Sequence, residues 1–91
     1  MDDLDAERAR KAKQDRLKAE EDFKFVAKDE RGQRVLRRIL EQAGIFQLSF
    51  AGESTHTTAF NEGRRNIGLF VNAEILSICP EQWANIMKAT E

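Results

Sequence analysis

The chain contains one cysteine, Cys79, and one proline, Pro80. A lone thiol builds no internal disulfide and no cysteine-based zinc site, so a reducing setting such as the cytosol is the natural expectation. Neither charge sign dominates. Fifteen Lys and Arg stand against 16 Asp and Glu, a net charge of −1, although charged residues make up 34% of the chain. A strong excess of one sign would point to nucleic acid or a membrane surface, and this balance argues against both as whole-molecule properties. No apolar run approaches the ~20 residues that a membrane span requires. The first residues are charged rather than apolar, so they do not read as a signal peptide. There is no phosphate loop, no Ser-His-Asp set, no paired-carboxylate site and no zinc spacing. His56 stands alone in a polar stretch, too few ligands for a metal. The expectation is a non-enzymatic protein with no metal and no cofactor.

What is present divides near residue 22. Ninety-one residues suffice for one small domain. Residues 1–21 mix Asp, Glu, Lys, Arg and Ala with almost nothing apolar. These are good helix formers, and Asp2 or Asp3 can cap their start. On a helical wheel Leu4, Ala6, Ala9, Ala12 and Leu17 make no stripe. A helix polar all round is either solvated or lies along a partner. The expected organisation is therefore a charged helical arm, 1–21, and a compact helical domain, 22–91. The fold class expected is all-α, a small bundle of three to four helices.

Within the domain, Phe23, Phe25, Val26 and Ala27 suggest one or two apolar turns. Asp29 is placed to cap a helix from Glu30 to Ala43. Its Val35, Leu36, Ile39, Leu40 and Ala43 gather on one side, with Gly32 among them to permit close approach. Arg34, Arg37, Arg38 and Glu41 take the opposite side. Gly44 suits the left-handed position that ends a helix. Phe46, Leu48 and Phe50 alternate, and Ile45 to Phe50 reads as an extended plug for the core. A polar loop, 51–57, follows. Thr57 or Thr58 would cap a long helix reaching Ile78. Pro80 then opens a short last helix, 81–89, with Trp83, Ile86 and Met87 at helical spacing.

The long helix carries two apolar stripes. Phe60, Ile67, Val71, Ile75 and Ile78 form one; Leu69, Ala73 and Leu76 lie roughly opposite. One buried stripe is usual for a helix in a small domain, so the second predicts a partner surface. Arg65, near Leu69 and Leu76, is expected to face that partner. Arg64 and Glu74 flank the first stripe and call for ion pairs, because an unpaired buried charge is costly. Glu41 or Glu62 is the expected partner of Arg64, and Arg34 or Arg37 that of Glu74. Gly63 and Gly68 weaken the helix by roughly 1 kcal/mol each relative to alanine, which suggests close packing. Arg34, Arg37 and Arg38 form a second candidate binding face, and with Arg31, Arg64 and Arg65 they are the candidates for phosphate contact, since arginine forks suit phosphate.

Several runs resemble one family. They are Asp22-Phe23-Lys24-Phe25, Arg31-Gly32, Arg34, Arg38-Ile39-Leu40-Glu41, Ala43-Gly44-Ile45-Phe46, Phe60-Asn61-Glu62-Gly63-Arg64-Arg65-Asn66-Ile67-Gly68-Leu69 and Cys79-Pro80-Glu81-Gln82-Trp83. Together they resemble a family of small proteins encoded in the structural region of podovirus-type tailed bacteriophages, near portal and capsid genes. The resemblance covers about residues 22 to 84, and Asn-Glu-Gly-Arg-Arg-Asn is its most specific part. It implies a virion or assembly protein, made in the host cytoplasm and carried in the virion, with no catalytic residues. Other phage structural proteins at the portal, tail or internal core are the implied partners, in a symmetric multi-copy ring, with packaged DNA as a further contact. The rival reading is a small DNA-contacting packaging or regulatory protein that uses the arginine faces.

Overall fold

The computed structural model describes residues 3–46 and 55–89. Four helices follow one another: α1 (Asp3–Lys28), α2 (Glu30–Gln42), α3 (Thr55–Ile78) and α4 (Trp83–Lys88), with a 3-10 turn over Pro80–Gln82 before α4. The protein is all-α. Most of the expected extended segment, and the expected loop as far as Ser54, lie outside the described residues.

Two boundaries differ from the sequence expectation. Helix α1 continues through residue 22 to Lys28. No glycine or proline occurs before Gly32, so nothing in the backbone stops the helix until Asp29. Helix α3 begins at Thr55, which places Thr57 and Thr58 inside it and not at its cap.

The α1–α2 corner rests on local chemistry. Asp29 leaves the helical conformation, with φ −89° and ψ 134°, and its Oδ1 accepts from the backbone N–H groups of Arg31 at 2.8 Å and Gly32 at 3.3 Å. These bonds satisfy the otherwise orphaned donors at the start of α2. The Arg31 side chain and these two N–H groups hold the Asp29 carboxyl below its usual range. Gly32 is required here, because a Cβ at that position would land on the Val26 carbonyl. At its other end α2 closes on Gly44, in the left-handed region at φ 75°.

The core is small. Ala27 comes from α1, Leu36, Leu40 and Ala43 from α2 and its cap, Ile75 and Cys79 from the end of α3, and Ile86 from α4. Phe23, Ile45, Val71 and Met87 pack around it. Helix α2 is the hub that α1, α3 and α4 all touch. One buried polar side chain crosses this hub. Gln33 Nε2 donates to the Ala27 carbonyl at 2.9 Å and to Gln82 Oε1 at 3.0 Å, tying α1, α2 and the 3-10 turn together.

Coverage runs out toward the start of α3. Phe60 and Ile67, expected on the inner stripe, are 68% and 63% exposed. Val35 and Ile39, expected in the core, each remain 41% exposed. They face an open groove between α2 and α3. The two α3 glycines also part company. At Gly68 a Cβ would sit 2.6 Å from the Ala43 side chain and would also strike Ile45, whereas at Gly63 it would meet nothing within 4 Å. The expected close packing therefore applies to Gly68 and not to Gly63. Gly63→Ala should raise stability by roughly 0.5–1 kcal/mol through helix propensity. Gly68→Ala should lower it by about 1–3 kcal/mol through overpacking. Thermal melting distinguishes them, and a matching sign for the two would contradict the α2–α3 contact.

Candidate interaction surfaces

The first surface is the outer face of α3. Leu69 is 42% exposed, Phe70 62% and Leu76 49%, with Ala73 exposed between them. Helix α1 reaches α3 on another side, where Arg16, Ala19, Glu20 and Phe23 lie beside Glu74, Ser77 and Ile78. Helix α4 meets it on a third, where Trp83 Nε1 donates to Asn72 Oδ1 at 3.0 Å. The Leu69–Leu76 stripe, with Phe70 added to it, stays uncovered among the described residues.

The second surface is the groove, about 860 Å³. Val35, Ile39, Ala43 and Ile67 supply its apolar floor, and Arg38, Arg64, Glu41 and Gln42 its rim. Arg64 lies on the domain side of α3, beside Gly44, yet is exposed; its guanidinium stands 6.0 Å from the centre of the Phe60 ring. Arg65 is half-buried, and its Nε is enclosed with no hydrogen-bond acceptor among the described residues. The two arginines thus differ in exposure in the reverse sense to the sequence expectation. The cause is the thin cover over the first half of α3, which leaves even its inward side open to solvent.

The expected ion pairs are rearranged. Glu41 Oε1 is bonded to Arg37 Nε at 2.8 Å, one turn away on α2. Arg37 Nη1 also donates to the Met87 carbonyl at 3.1 Å, and its guanidinium stacks 4.2 Å from the centre of the Phe46 ring. Arg37 is therefore withdrawn from the outer arginine face. It fastens α2 to α4 and to the turn after α2, and it satisfies a carbonyl in the last turn of α4, where a cation is favoured. Glu74 is half-buried beside α1, near Arg16 and Glu20. Glu62 is exposed on α3. Arg34 is half-buried and Arg38 exposed. Arg31, fully on the surface, is bound to Asp29.

Two interactions were not visible in the sequence. Gln33 reads as a routine polar residue in an amphipathic helix, and only its wheel position beside Leu36 and Leu40 hints at burial. The Arg37 fastening depends on α4 crossing that side of α2, which no local pattern encodes. Cys79 is buried, and burial pushes its thiol up, with Glu81 adding to the shift. Thiolate, the reactive form, is thereby disfavoured. Among the described residues no group of three or more His, Cys, Asp or Glu is placed to hold a metal, and no helix is long and apolar enough to cross a membrane.

The Arg37 fastening is testable. Arg37→Leu removes hydrogen bonds to two separate acceptors, Glu41 and the Met87 carbonyl, so it should cost about 1–3 kcal/mol. Arg37→Lys should recover only part of the loss, since an ammonium lacks the planar fork. Full recovery in chemical denaturation by Arg37→Lys would contradict this geometry.

Comparison with known proteins agrees with a phage origin. No curated protein and no solved structure matches the chain significantly. The family model described as Bbp19-like phage protein matches residues 23–88, which takes in the last turn and a half of α1 and all of α2, α3 and α4. The chain belongs to the family of Bbp19-like phage proteins.

Proposed function

We propose that this chain is a non-enzymatic virion or assembly protein of a short-tailed, podovirus-type phage, which binds or bridges portal, tail or internal core proteins. The observation that carries the reading is the uncovered α3 face of Leu69, Phe70 and Leu76 in a phage-family protein. Fully burying such a side chain contributes roughly 1.5–3 kcal/mol, and with about half of each still exposed the three retain roughly half of that to gain from a partner. An exposed apolar patch on a small domain otherwise invites aggregation, which supports a partner as its normal cover. Repetition in a multi-copy ring would let modest contacts per copy add up. Residence in the virion follows from the same reading.

The DNA-contacting alternative draws less support from the geometry. It drew on Arg31, Arg34, Arg37, Arg38, Arg64 and Arg65, of which Arg37 is engaged with Glu41, Met87 and Phe46 and Arg31 with Asp29. Phosphate contacts weaken steeply with salt, so DNA retention at two salt concentrations separates the two readings.

Incorporation into particles tests the proposal. Leu69→Lys and Leu76→Lys lie on exposed positions and should leave melting of the isolated protein near wild type. Both should be missing from assembled particles. Wild-type incorporation of both variants would remove this face as the assembly surface.

A further inference from the structure

The groove between α2 and α3 and the free end of α1 have matching chemistry. The groove floor is apolar, with Val35, Ile39, Ala43 and Ile67, and Arg38 and Arg64 stand on its rim. Glu41, the one acidic residue among its described lining, is already bonded to Arg37, so the described rim is cationic in effect. The tip of α1 has the opposite character. Residues 2–7 contain Asp2, Asp3, Asp5 and Glu7 with no Lys or Arg, and Leu4 is 52% exposed among them. At ~100° per residue, Asp3, Leu4 and Glu7 share one side of the helix. Lys11, one turn beyond Glu7, is bonded to Asp15 instead.

The helix also presents this tip at a distance. Ala27 anchors α1 in the core, and an unbroken helix at ~1.5 Å per residue sets Asp3 about 36 Å from it. The molecule is correspondingly long, 56 Å against 33 Å and 16 Å in the other directions. Residues 7–19 are exposed along the way, so the domain holds only the far end of the arm.

We infer that the α1 tip of one copy docks in the α2–α3 groove of a second copy, Leu4 entering the apolar floor while Asp3 and Glu7 meet Arg38 and Arg64. The contact is head-to-tail, since the donor's groove remains open for a third copy. Such a contact propagates until it closes into a ring or continues as a filament. The inference rests on the assembly reading for its purpose and deepens it by naming one partner as the chain itself.

Sedimentation of the full-length protein tests it. Wild type should associate in a concentration-dependent way, at least tenfold more weakly at about 0.5 M than at about 0.05 M salt, because screening is strong at the higher concentration. A groove variant, Arg38→Glu with Arg64→Glu, should be monomeric, and so should a tip variant, Asp3→Lys with Glu7→Lys. All four positions are exposed, and melting checks that each variant is folded. Mixing the two variants should restore association, because each supplies the charge the other's surface now lacks. A strictly monomeric wild type would overturn the inference. So would association that survives both reversals, association lost in Leu69→Lys instead, or a concentration-independent compaction, which would place the tip in its own groove. A chain found in particles that never self-associates defeats this inference alone. A chain that self-associates by these rules and is absent from particles defeats the assembly reading alone.

Discussion

Everything in this fold hangs on the apolar side of α2. Leu36 and Leu40 meet Ile75 of α3 and Ile86 of α4, while the same helix starts against the end of α1 through Asp29 and Gly32. Leu40, Ile75 and Ile86 are fully buried, and few other large side chains are. So small a core leaves no surplus of apolar cover. Two polar fastenings make up part of the difference. Gln33 links α2 to α1 and the 3-10 turn, and Arg37 links it to α4 and Phe46. Both donate to backbone carbonyls near helix ends, which is why their loss should exceed that of a surface hydrogen bond.

The same shortage shapes the surface. Helix α3 is 24 residues long, yet among the described residues only its part from Gly68 onward packs on the core. Its first half therefore displays Phe60 and Ile67, and its outer side displays Leu69, Phe70 and Leu76. The assembly proposal rests on this apolar content left on the outside. Membership in a phage protein family is consistent with that proposal.

Some of this was legible in the sequence and some was not, for physical reasons. The Asp29 cap and the Gly44 terminus depend on one residue's own chemistry, so they read directly. The amphipathic character of α2 is likewise local. Which part of a stripe is covered is a tertiary matter, and so Val35, Ile39, Phe60 and Ile67 read as core although they are exposed. Arg37 lies on the polar side of its helix by spacing alone; the passage of α4 over that side turns it inward. The continuation of α1 to Lys28 was hidden by a change in composition at residue 22 that carries no helix-breaking residue. In the candidate surfaces, the Leu69, Ala73 and Leu76 stripe was visible as a second apolar face, whereas the groove requires two helices to be placed together.

An assembly protein must have its exposed apolar faces covered in the particle. The direct measurement is quantitative mass spectrometry of gradient-purified particles, with the protein's copy number expressed relative to the portal and capsid subunits. A constant, multi-copy ratio that survives repeated purification is the result expected of an assembly component. Recovery of the protein only from the infected-cell lysate, with none in the particles, would contradict it.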